Sequence, residues 1–240
     1  MNNSHLSKYI NCHEGESAII FCPGKSIDDF KFDQNFDSMI KIGINTTIVH
    51  PMFKYRKLDY HLMCDPCGYY GYVSHPYMYE NLNIKYNAFR GIHGNFDMIN
   101  YDIRQWDVSI TKNVVPYLFY SAPYVKVGGQ FTEDPELMKD KPFSNDISND
   151  EIIGNMSIIF PALQILLGMG FKKIYLVGVD IVGGYWFIDY GQGVTWEISK
   201  FRERWEYFEE WLGSSEKYND VDIVSVNPVG LKGMFNEITL

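Results

Sequence analysis

Apolar positions along this chain fall into short runs of strand formers and one long apolar stretch, punctuated by glycine, proline, asparagine and aspartate. The stretch 154–184 is the most informative. Ile158, Ile159, Leu163, Ile165, Leu166, Leu167 and Met169 leave no helix face polar, which predicts a helix buried on most sides. Gly170 suits the left-handed residue that ends a helix. The run 174–179 is apolar without alternation, as in a parallel strand covered on both faces, and it closes on Asp180. Helix, glycine turn and buried strand make one unit of an α/β, Rossmann-like, doubly wound and mainly parallel sheet. Such sheets bind ligands beyond the carboxyl ends of their strands.

Taken in order, the pattern predicts further strands at 17–22, 38–44, 59–64, 84–89, 117–120, 124–127 and 222–226. Residues 1–16 read as a polar arm or short helix running into a CHEGES loop. After the first strand, Pro23-Gly24-Lys25-Ser26 makes a tight turn into a predicted helix, with Ser26 as N-cap and Asp28 and Asp29 in its first turn. A glycine turn feeding a helix N-terminus points free backbone N–H groups at one spot, an arrangement suited to an anion. Residues 128–151 read as a long polar loop. Residues 199–212 read as an amphipathic helix with Phe201, Trp205, Phe208 and Leu212 on its apolar face. The whole, 1–240, reads as a single nucleotide-binding α/β domain, with the aromatic-rich stretch 68–149 as an insertion or lid.

Composition narrows the function classes. With 46% hydrophobic and 21% charged residues the chain reads as an ordinary globular protein, and its net charge of −9 argues against a nucleic-acid partner held by a broad basic surface. No apolar run is long enough to cross a bilayer and the N-terminus lacks a signal-peptide core, so a cytoplasmic protein is expected. The four cysteines stand at 12, 22, 64 and 67. Only Cys64 and Cys67 form a CxxC, without the second ligand pair that a zinc site needs. Buried free thiols are the expected state, and no metal site is predicted.

The letters GKS do not make a P-loop, because the position five residues before Gly24 is Ile19, inside the strand. The dinucleotide fingerprint GxGxxG is also missing from this turn. A polar pattern remains. Ser26, Asn45, Asp65 and Asp180 each follow a predicted strand and together outline a polar crevice along one edge of the sheet.

Four pieces of the chain carry a resemblance: strand–PGKS–helix, the GINTT strand end, LDYHLMCDP, and helix–LGMGFKKIYLVGVDI. Together they resemble the Maf-type glycosyltransferases that modify flagellins with nonulosonic acids. They are also similar to the archaeal 6-hydroxymethylpterin diphosphokinases and, more distantly, to bacterial lipooligosaccharide sialyltransferases. The resemblance covers about 17–65 and 150–182. It implies that Gly24, Lys25 and Ser26 hold nucleotide phosphate, and that Asn45 meets the ligand. It also implies that Asn155 and Ser157 lie near the nucleotide and that Asp180 is the acid closing the GxD strand. Asp65 joins the same binding set. Pro161 limits how regular the turn at Ser157 can be. The sialyltransferases carry a histidine general base just ahead of the C-terminal helix, where this chain has Trp196 between Thr195 and Glu197. Glu197 or Asp189 is then the candidate catalytic base, since a carboxylate shielded beside a hydroxyl can take its proton.

The resemblance implies a sialyltransferase-like enzyme taking a nucleotide-sugar donor, CMP-linked by preference, and a glycan or protein acceptor. No cofactor follows firmly from it. An ATP-dependent diphosphotransferase is the alternative, with Mg²⁺ held by Asp65 and Asp180. A non-catalytic nucleotide-sugar-binding module is the third reading. Each is compatible with a homo-oligomer.

Overall fold

The computed structural model describes residues 4–63, 88–93, 114–120, 124–127, 130–133, 143–150, 152–154, 157–181 and 198–240. Its centre is a nine-stranded sheet. The strands are β1 (Ser17–Phe21), β2 (Ile40–Ile44), β3 (Tyr60–Met63), β4 (Ala88–His93), β5 (Val114–Tyr120), β8 (Ile152–Ile153), β9 (Lys173–Val177), β10 (Asp222–Val226) and β11 (Asn236–Ile238). Their order is β11-β10-β9-β1-β2-β3-β4-β5-β8, and every neighbouring pair is parallel. From β1 the chain winds outward through β2 to β8, then returns beside β1 as β9 and winds the other way. The strand order therefore reverses between β1 and β9. A separate antiparallel hairpin pairs β6 (Tyr124–Val127) with β7 (Gln130–Glu133).

Both faces of the sheet are covered at the central strands, which is why these read as unbroken apolar runs. Along β1, Ala18 and Ile20 belong to one buried cluster and Ile19 and Phe21 to the other. The larger cluster is built by α2 (Ile159–Gly168), whose residues are all buried, and by α3 (Ile198–Ser214). The smaller is an aromatic pack of Phe21, Phe30, Phe36 and Phe53 on the opposite face, next to the short helix α1 (Gln34–Asp37).

The segment 11–15, which leads into and includes the start of CHEGES, has a role that hydropathy does not reveal. Asn11, His13 and Gly15 donate their backbone N–H groups to the carbonyls of Gly168, Met169 and Gly170 at 3.0, 2.8 and 3.0 Å. The last turn of a helix leaves its carbonyls without intrahelical partners, and this segment supplies them. Gly170 has φ +91°, as its reading as a helix terminator requires. His13 is further fixed by Tyr60, whose hydroxyl lies 2.8 Å from Nε2.

Gln164 joins α2 to β8. It is fully buried; its Oε1 accepts from the backbone N–H of Ser144 at 2.9 Å and of Ile153 at 3.1 Å, and its Nε2 donates to Ile153 O at 2.8 Å. On α3, Arg204 is only 5% exposed and lies over the Phe143 ring at 4.1 Å. None of its three guanidinium nitrogens has a hydrogen-bond partner among the described residues, and burial lowers its pKa to about 10.

Several elements differ from their sequence reading. The helix expected after PGKS is a single 3₁₀ turn, Lys25–Asp29, and Ser26 sits inside it instead of capping it. The N-terminal arm also forms a 3₁₀ turn, Ser4–Tyr9. Within the stretch read as a polar loop, Gln130–Glu133 is a strand, because pairing with β6 overrides its polar composition. β4 and β5 belong to the main sheet, although both fall in the stretch read as an insertion. β11 escaped notice because three residues with mostly exposed side chains carry no periodic signal. Of the thiols expected to be buried, Cys22 is and Cys12 is not; Cys64 and Cys67 lie outside the described residues. Among the described residues, no helix is long and apolar enough to cross a membrane.

Candidate functional site

The strand order reverses between β1 and β9, and in sheets of this kind ligands bind at the carboxyl ends of the strands where it does so. The turn after β1 and the turn after β9 meet there. Gly24 N donates to Gly178 O at 3.0 Å. Ser26 donates twice to Asp180: its backbone N–H to Oδ2 at 2.8 Å, and its hydroxyl to Oδ1 through a short bond. Ser26 and Asp180 are 7% and 6% exposed, so both bonds form away from competing water.

Glycine is needed here for close approach. Gly24 has an ordinary extended backbone at φ −64°, but a Cβ on it would lie 2.3 Å from Gly178 O and 2.8 Å from Asp180 Cγ. Gly178 needs glycine on two counts: its φ is +73°, and a Cβ would lie 2.3 Å from Cys22 O. At Gly230, on the loop after β10, a Cβ would lie 2.4 Å from Asp180 O. Three glycines thus let the loops after β1, β9 and β10 pack closely beside Asp180. Burial and the nearby Asp180 charge push the Cys22 thiol far above its usual range, which keeps it neutral and unreactive.

Asp180 is therefore committed to Ser26, where the sequence suggested a carboxylate open to the crevice. Lys25 is exposed between the two residues that fasten this turn. Ser157 is half-buried just ahead of α2, with its hydroxyl accepting from Ile159 N at 3.4 Å. Asn45 opens the turn after β2, one strand over from β1 on the same sheet edge, with φ +47°. Its carbonyl accepts from His61 Nε2 at 2.7 Å. Four of the predicted site residues, Asp65, Asn155, Asp189 and Glu197, lie outside the described residues.

Two participants escaped the sequence reading. His61, fully buried on β3, is joined to Asn45. Gly178 was available from its place between the strand and the acid in GVD, but only its backbone angle reveals its use. Among the described residues no group of three or more His, Cys, Asp or Glu side chains is placed to hold a metal ion.

No protein-family model matches the chain, and no curated protein matches it. Solved structures do. The chain is similar to the sialyltransferase CstII from Campylobacter jejuni at TM-score 0.52 and 10% identity, covering 88% of this chain and 80% of that one. It is similar to the Maf glycosyltransferase from Magnetospirillum magneticum AMB-1 at TM-score 0.53 and 15% identity, over 99% of this chain and 37% of that one. The α-2,3-sialyltransferase Cst-I from Campylobacter jejuni matches at TM-score 0.50 and 14% identity, over 88% and 75%. The architecture is shared with a Maf glycosyltransferase and with bacterial sialyltransferases, two of the groups that the sequence motifs resemble.

Proposed function

We propose that this chain is a glycosyltransferase that takes a nucleotide-activated sugar, of the CMP-nonulosonate type, and modifies a glycan or protein acceptor. The observation that carries the reading is the fastened turn Gly24–Ser26 at the strand-order reversal of a fold shared with sialyltransferases. Structures of the Campylobacter sialyltransferase CstII have been solved with CMP, one of them with a trisaccharide acceptor as well. On this reading Asp180 holds the turn while Lys25 and the local backbone meet the donor phosphate. Asn45 and Ser157 contact the nucleotide or sugar, with Asp65 and Asn155 on neighbouring loops. Asp189 or Glu197 takes the acceptor hydroxyl proton. Positive charge and N–H groups placed where the departing nucleotide gains charge lower the barrier. The free thiols of Cys12 and Cys22 suit a reducing, cytoplasmic setting. A magnesium role for Asp180 is disfavoured because both carboxylate oxygens already accept from Ser26.

Thermal-shift measurements with CMP, UDP, GDP and ATP, each with and without Mg²⁺, test the proposal. Stabilisation by CMP without metal is the expected result. Magnesium-dependent stabilisation by ATP alone would instead support diphosphotransfer. Release of CMP from a CMP-sugar on prolonged incubation would distinguish an enzyme from a binding module.

A further inference from the structure

The turn after β2 is fastened three times, yet the side chains of its first two residues, Asn45 and Thr46, have no hydrogen-bond partner among the described residues. Left-handed backbone is disfavoured for any residue with a Cβ, though least for asparagine, so Asn45 at φ +47° needs something to hold it. Thr47 donates its hydroxyl to Ile44 O at 2.6 Å. His50 N donates to Thr47 O at 3.0 Å and closes the 3₁₀ turn. The third fastening crosses strands: His61 Nε2 lies 2.7 Å from Asn45 O. A carbonyl only accepts, so Nε2 carries the proton. Gly43 makes the folding-back feasible, since a Cβ there would stand 2.5 Å from Leu58 Cδ1 and 3.0 Å from Thr47 Oγ1.

Against this the side chains stand out. The half-buried Asn45 carboxamide has no hydrogen-bond partner among the described residues. Thr46, 2% exposed, has a hydroxyl with none either. Buried polar atoms are nearly always paired, and an orphan calls for an explanation such as a ligand or an ordered water. A held backbone with unpaired polar ends is the form of a preorganised recognition turn.

We infer that His61 is a positioning residue for ligand recognition at Asn45: its Nε2–H fixes the Asn45 carbonyl and so aims the carboxamide at a polar group of the bound nucleotide sugar. The inference rests on the proposed function and adds to it the residue that sets the geometry of the β2 turn. His61 does not itself touch the ligand.

The test uses the full chain and CMP as probe. His61→Gln keeps a side-chain N–H donor, His61→Phe keeps bulk without one, and Asn45→Ala removes the recognising group. Hydrogen–deuterium exchange over 45–50 without ligand reads the turn, and calorimetry reads CMP affinity. His61→Phe is expected to speed exchange there and to weaken CMP about tenfold, approaching Asn45→Ala. His61→Gln is expected to stay within about threefold of the parent in affinity. Should His61→Phe not fold, His61→Gln decides alone: near-parental exchange and affinity support the assignment, and a loss as large as that of Asn45→Ala overturns it. If Asn45→Ala loses CMP while His61→Phe binds like the parent, the positioning role is overturned and the functional reading stands. If the parent binds none of the four nucleotides, both are overturned.

Discussion

Ser26 and Asp180, 154 positions apart in sequence, are joined by two hydrogen bonds, one from the backbone and one from the hydroxyl of the same serine. This pair locks the turn after the first strand to the turn after the ninth. Asp180→Ala would leave a buried N–H and a buried hydroxyl unpaired and is expected to cost about 2–4 kcal/mol. Ser26→Ala, which leaves the backbone bond intact, should cost nearer 1 kcal/mol. Urea denaturation of both variants and the double variant would read the coupling. Additive losses would show that the hydroxyl and carboxylate do not act together.

Gly24 and Lys25 separate fold from binding in adjacent positions. Gly24→Ala puts a Cβ into Gly178 O and the Asp180 carboxylate. It should destabilise by roughly 1–3 kcal/mol even though the backbone angle tolerates alanine. Lys25→Ala is exposed and should leave stability within about 0.5 kcal/mol. Under the proposed function it should weaken CMP binding, more so at low salt. Unchanged affinity at low salt would remove Lys25 from the phosphate site.

Gln164 is the polar peg through an otherwise apolar helix. Gln164→Leu has a similar volume but strands the N–H groups of Ser144 and Ile153 and the carbonyl of Ile153. A loss of about 3 kcal/mol or more is expected in denaturant unfolding. A loss under about 1 kcal/mol would mean that water replaces the side chain.

Arg204 poses the opposite case. A buried guanidinium with no acceptor among the described residues carries a desolvation cost offset only by its contacts with the rings of Phe143, Tyr207 and Phe160. Arg204→Met keeps the long apolar stem and drops the charge, and should raise stability by about 1–3 kcal/mol. A melting temperature below that of the parent would show that ring stacking outweighs the burial of charge.

Asp146 gives the chain an acid-sensitive corner. It accepts from the backbone and hydroxyl of Ser148 and from Asn149 Nδ2, and these bonds lower its pKa to about 2 from 3.8. A carboxylate with a depressed folded-state pKa stabilises the fold above its unfolded value, and that contribution disappears as pH falls through the folded one. The loss should therefore run from about pH 4 to pH 2. Asp146→Asn should flatten that limb of the curve of urea midpoint against pH. Because the group is largely solvated, the effect should be modest.

The sheet was legible because its central strands are buried on both faces and so appear as plain apolar runs. The last long strand was read at its observed bounds, 222–226, and the helix terminator Gly170 at its observed angle. Where a strand is short and polar in composition, as in β7 and β11, the pattern fades and only tertiary pairing defines the strand. At the site, the residue types at the carboxyl edge could be read, but not their obligations. No local signal says that Asp180 answers to Ser26, or that His61 reaches across to Asn45. Such pairings depend on strand order, which hydropathy alone does not encode.

The same strand order has a temporal consequence. The first strand pairs with the ninth in register from Ser17 with Lys173 to Phe21 with Val177. During synthesis, that flank of β1 remains an open edge until residue 177 has left the ribosome. Long-range pairings of this kind close slowly, and an exposed apolar edge invites self-association in the meantime. Fragments that stop short of the ninth strand should therefore accumulate as aggregates, and the turn at Gly24 should be among the last parts of the nascent chain to settle.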